Sequence, residues 1–188
     1  MKTAFTATAS LAFILCFALA RSALPTPPSI NLTDFQGDWY EICAKPVIVE
    51  KYCYCTQTVY ELDKNGNVYD VDHCRMFSKT GNWINVPSTY YPTNESNAVW
   101  DVKVGPVTTG KYYVHEVGPE GNYSYALTGM DNMKDLWVMS KSMTLDNDTV
   151  NMLLEKGKSL GYDISDIEYA YQSESCGSPP SLYEQAEQ

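Results

Sequence analysis

From Gly37 to Asp135, short runs of β-branched and aromatic residues alternate with turn-forming residues at a spacing of about ten. The pattern predicts strands near 37–46, 53–62, 68–77, 82–90, 98–104, 111–117, 122–129 and 135–141. Eight antiparallel strands in succession predict an all-β, up-and-down barrel, because closure removes the edges that an open sheet would expose. AVWDVKV shows the two-residue period plainly, with Trp100, Val102 and Val104 on one face and Asp101 and Lys103 on the other. Only LDNDTVNMLLEKGKSLGYD carries a helical period: Val150, Leu153, Leu154 and Leu160 share a face, Asp146 or Asn147 can cap the start, and Gly161 can end it. This one C-terminal helix is predicted to pack outside the barrel. A short strand over 167–171 follows, and the tail 177–188 has little to bury.

The turn Asp63-Lys64-Asn65-Gly66-Asn67 leaves two registers open. A three-residue loop with a left-handed Gly66 sets Leu62 opposite Val68 and Thr58 opposite Asp72. A two-residue Asn-Gly turn shifts the pairing by one and turns His73 and Arg75 inward in place of Asp72 and Cys74.

Composition adds compartment and partners. Lys2 followed by the apolar run LAFILCFALA reads as a secretory signal peptide over 1–20, with cleavage after Ala20 or alternatively after Ser22. The run is too short to span a bilayer comfortably, and no other segment reads as a membrane span. Residues 21–34 form a Pro-rich lead-in, and 35–176 hold the barrel and helix. The formal net charge of −10 argues against nucleic acid and anionic membranes as partners. Cys43, Cys53, Cys55, Cys74 and Cys176 stay in the mature chain, and in an oxidising compartment they are read as disulfides with one thiol left over. His73 and His115 lack the paired spacing of a metal site, so neither a metal nor a cofactor is implied. Sequons at Asn31, Asn94, Asn122 and Asn147 fit a secreted glycoprotein.

Gly37-Asp38-Trp39-Tyr40-Glu41-Ile42, joined to YALTGMDNMKDLWVMSKSMTLDNDTVNMLLEKGKSLGYDISDI from Tyr125 to Ile167, resembles the lipocalins, most of all the branch of apolipoprotein D and the bacterial outer-membrane lipocalins. The resemblance implies a barrel closed at one end and open at the other, with a ligand cavity inside. It gives Gly37 and Trp39 the structural motif at the closed end. Lys141 takes the place of a basic residue, usually Arg in the family, that lies across the tryptophan. A longer turn, Glu116 to Gly121, replaces the family's second motif. The resemblance also implies a bridge from Cys55 to Cys176. Cys43 and Cys53 flank the AKPVIVEKY loop and are expected to pair with each other, the alternative being a pairing that uses Cys74.

Carried over position by position, the resemblance places Thr58, Tyr60, Asp72, Trp100, Val102, Val104, Tyr112 and Trp137 in the ligand pocket, and it favours the bulged register at Gly66. Such a lining suits a small hydrophobic ligand: a fatty acid, sterol, retinoid or bilin. Asp72 could pair with an amine or hydroxyl of the ligand, or sit part-solvated near the mouth. The expectation is a secreted, extracellular carrier that does not alter its ligand. Two alternatives stand beside it: a lipocalin-type enzyme using Cys43 or Cys74 as a nucleophile, and a protein-binding lipocalin of immune or salivary type. A receptor or a homodimer is left undetermined by the sequence.

Overall fold

The computed structural model describes residues 24–25, 29–45, 48, 50–93, 96–104 and 107–180. The predicted signal peptide, the sequon at Asn94 and most of the C-terminal tail therefore lie outside the described residues. The predicted meander forms as β1 (Gly37–Ala44), β2 (Cys53–Leu62), β3 (Val68–Met76), β4 (Trp83–Thr93), β5 (Ser96–Val104), β6 (Val107–Gly118), β7 (Tyr125–Met130) and β8 (Leu136–Ser140). Each strand pairs antiparallel with the next, and β1 pairs with both β2 and β8, which closes the barrel. A two-residue strand, β9 (Glu168–Tyr169), adds to β1 beside Cys43 and Ala44.

The hairpin after β2 takes the bulged register. Gly66 has φ +81°, Asp63 N–H donates to the Asn67 carbonyl at 2.9 Å, and Thr58 stands opposite Asp72. The Asp63 carboxylate accepts from the backbone N–H groups of Asn65 and Asn67, which fixes the turn locally.

The lead-in carries an element that the pattern does not predict: one helical turn, α1 (Leu32–Phe35), capped by Asn31, whose side chain accepts from the Thr33 amide at 2.9 Å. It closes the base. Trp39 is fully buried, its indole N–H donates to the Phe35 carbonyl at 2.8 Å, and the two rings stack at 4.9 Å. The Lys141 ammonium lies 4.9 Å from the Trp39 ring centroid and donates to the Gln36 carbonyl. Gly37 stands under that ammonium with φ +97°, a conformation that a side chain at this position would strain.

The second helix, α2 (Asn147–Ser159), begins at the Asp146 cap, where the carboxylate accepts from the Thr149 amide at 2.8 Å. Val150, Leu153 and Gly157 are its buried residues, with Leu154 and Leu160 only partly buried beside them. The helix covers the outer side of Leu127, Leu136 and Val138. Two apolar layers result: one inside the barrel and one between barrel and helix.

The cysteines need a correction. The bridges are Cys55–Cys176 and Cys53–Cys74; Cys43 does not pair with Cys53 but is a free, buried thiol. Two bulges are the physical cause. The β1–β8 register shifts between Glu41 and Cys43, which turns Cys43 out of the barrel into the layer beneath α2. The β2–β3 register shifts between Tyr54 and Gln57, with Cys55 at φ +60°, and Cys53 comes to 5.4 Å, Cα to Cα, from Cys74.

Candidate functional site

Inside the barrel the aromatic side chains form a continuous stack. From Trp39 and Phe35 at the base, it runs through Trp100, 5.6 Å from Phe35, to Tyr112, 5.3 Å further on, and then to Trp137 at 6.1 Å. Tyr90 joins from β4, 5.0 Å from Tyr112. The rings fill the lower barrel and leave a cavity of about 100 Å³ in the upper part.

Five of the predicted pocket residues meet at that cavity: Thr58, Tyr60, Asp72, Tyr112 and Trp137. Trp100 and Val102 do not line it. Both are buried in the interior cluster, Trp100 between Tyr90, Phe35 and Tyr112, because stacked rings already occupy the space that a ligand would need there. The side chain of Val104 lies outside the described residues. The hydroxyls of Tyr60 and Tyr112 share a hydrogen bond of 2.9 Å, and Thr58 donates to the Asp72 carboxylate at 2.6 Å.

Six further lining residues are absent from the predicted set: Tyr90, Glu41 and Glu50, together with Thr56, Met130 and Met139. Glu41 carried a signal: it stands two residues after Trp39 on the same strand, so it faces inward by alternation. Glu50 carried none. It lies in the loop between β1 and β2, and only the folded loop brings it over the cavity, where the Trp137 indole N–H donates to it at 3.4 Å. Asp70, two residues before Asp72 on the same face, is fully buried among the rings. Neither of its oxygens has a hydrogen bond of regular geometry, although the Tyr90 hydroxyl is close enough to ease its ionisation.

Among the described residues the interior thus holds four carboxyl groups, and no lysine or arginine lines the cavity. Burial, reinforced by mutual repulsion, raises Glu41 and Asp70 well above the usual carboxylate range and Glu50 to about 7. Asp72 is also raised by burial, with Thr58 drawing it back. Among the described residues no three His, Cys, Asp or Glu gather as a metal ion would require.

The other candidates are placed elsewhere. His73 lies on the outer face and pairs with Asn85 at 2.7 Å, while His115 pairs with the Tyr162 hydroxyl at 2.8 Å. Arg75 donates to the Cys176 and Gly81 carbonyls and lies over Trp83, so it fastens the C-terminal segment to β3. Burial, with Glu41 nearby, pushes the Cys43 thiol up to about 12, and Cys74 is bridged, so neither is an ionised nucleophile. Asn31, Asn122 and Asn147 are exposed. A larger recess, of about 700 Å³, lies outside the barrel between outward residues of β1–β3, such as Tyr40 and Val71, and Ser178–Pro180. His73 is among its lining residues, and the recess shares none with the interior cavity.

Residues 30–172 match the family described as a lipocalin-like domain. Temperature-induced lipocalin-1 of Arabidopsis thaliana is 26% identical over 155 residues, covering 77% of this chain and 81% of that protein. Outer membrane lipoprotein Blc of Vibrio cholerae is 27% identical over 168 residues, covering 85% and 96%. Among solved structures, lobster apocrustacyanin A1 superposes with a TM-score of 0.63 at 16% identity, over 78% of this chain and 82% of that one. Insecticyanin of the tobacco hornworm Manduca sexta also gives 0.63, at 18% identity over 82% and 87%.

Proposed function

The chain belongs to the lipocalin family, and we propose that it is a secreted carrier that holds one small, mainly apolar ligand in the barrel cavity without altering it. The observation that carries this reading is the convergence of residues from β2, β3, β6 and β8 on one interior chamber that Glu50, between β1 and β2, also lines. Its walls are aromatic, and burying the faces of a ligand against them contributes roughly 25 cal/mol per Å² of apolar surface. The volume of about 100 Å³ favours a compact ligand over a full-length sterol or bilin. Secretion is supported by the N-terminal apolar run and by two disulfides, the covalent pattern of an oxidising compartment. Carriage rather than catalysis is supported by the state of the two cysteines considered as nucleophiles, one buried and protonated, the other bridged.

Trp137 on the cavity wall and Trp100, beyond Tyr112 in the stack, supply the assay. Titration with a series of apolar compounds of increasing length should quench tryptophan emission saturably, most strongly for the compact members. Mass spectrometry of an extract of the native protein should find one bound small molecule. No quenching across the series, together with an empty extract, would refute the carrier reading.

A further inference from the structure

We propose that the cavity selects a compact organic cation: a protonated amine carried on an aromatic or short apolar group. This rests on the carrier reading and specifies the chemistry of its ligand.

Glu41, Glu50 and Asp72 line the chamber, and Asp70 is buried on the same face of β3 as Asp72. Hydrogen bonds inside the protein satisfy only part of this set. Asp72 has Thr58 and Glu50 has Trp137, whereas the Glu41 side chain, in a residue only 8% exposed, has neither a hydrogen bond nor an ion pair among the described residues. Asp70, at 0% exposure, has no regular hydrogen bond on either oxygen. A buried carboxyl without a partner is costly, and several facing one cavity repel one another.

The charged groups around the chamber leave that imbalance in place. Asp135 lies on the side of Glu50 and adds further negative charge. His73 stands behind Asp72 on the outer face, held by Asn85. Lys45 and Lys51 border an adjoining recess of about 220 Å³ that shares Glu41, Glu50 and Thr56 with the cavity. The Lys45 ammonium is already engaged by Asp166 and by the Asp163 carbonyl. An entering ammonium would therefore meet an unpartnered carboxyl at Glu41, with Glu50 and Asp72 beside it. The rings of Tyr60, Tyr90, Tyr112 and Trp137 present faces to the cation and to the group that carries it. The cation would draw the carboxyls into the ionised form and so bring their raised pKa values back down.

Three near-isosteres test the proposal by calorimetry on the mature chain at about pH 7.5: phenethylamine, 2-phenylethanol and phenylacetate. Phenethylamine is expected to bind at least about tenfold more tightly than the alcohol, the scale of a charge-assisted hydrogen bond, with phenylacetate weakest. Glu41→Gln should narrow the amine-to-alcohol ratio to about threefold or less. Wild-type protein supplies an independent arm: amine affinity should fall several-fold between about pH 7.5 and 5.5, as the carboxyls take up protons, while alcohol affinity stays level. Alcohol or phenylacetate binding as tightly as the amine, or a flat amine profile, overturns the proposal and leaves the carrier reading intact. If none of the three binds and the apolar series also fails, both readings fall.

Discussion

Replacing Glu50 by Gln removes one ionisable group and keeps an acceptor for the Trp137 indole N–H. The folded protein raises this carboxyl from 4.5 to about 7, first through desolvation and then through repulsion from Asp72. Its folded form therefore binds the proton more tightly than the unfolded chain does. The associated stability is fully present below pH 4.5 and is lost as pH rises through about 7. At about 1.4 kcal/mol for each tenfold change in acid constant, the interval amounts to about 3 kcal/mol. Glu50→Gln should thus stabilise the fold by up to about 3 kcal/mol at pH 8 and by almost nothing at pH 4.5. For a domain of this size, that is a rise in melting temperature of roughly 6–12 °C at the alkaline end. The wild-type curve alone will not reveal it. His115, which burial lowers from 6.5 to about 4, acts in the opposite sense, with stability lost as pH falls below 6.5. The difference between variant and wild type in urea unfolding, followed by tryptophan emission from pH 4.5 to 8, isolates Glu50. A difference that is flat across that range, or a variant less stable than wild type at pH 8, would refute the reasoning.

Trp39→Ala should lower unfolding free energy by about 3–5 kcal/mol, because it removes a fully buried ring, its stack with Phe35 and the donor to the Phe35 carbonyl; urea titration measures it. Non-reducing peptide maps should show Cys53 joined to Cys74 and Cys55 to Cys176, with Cys43 alkylated only after denaturation, since the thiol is buried and pushed up to about 12. The His115 imidazole, followed by NMR, should stay neutral until about pH 4.

The strand succession was legible because period-two alternation and turn residues act over a few positions, and the helix because its apolar face and Asp146 cap are equally local. The family resemblance chose the register at Gly66, and five of its pocket residues reach the cavity. Trp100 and Val102 went to the packed interior instead, since how far rings from five strands stack toward one another is a sum over contacts distant in sequence.

The cysteines mark the boundary between the two kinds of information. Their number and the apolar run over 11–20 follow from the sequence by itself, as do the barrel and the outer helix, and the family resemblance supplied the Gly37–Trp39 base. Which cysteines meet was decided by two bulges, and a bulge reverses the face of every residue beyond it without leaving a mark in the hydrophobic pattern. The same holds for the carboxyls. Alternation, once the bulged register at Gly66 is taken, puts Glu41, Asp70 and Asp72 inside, but only the closed barrel, with Glu50 folded over its chamber, brings them around one volume and strips them of water.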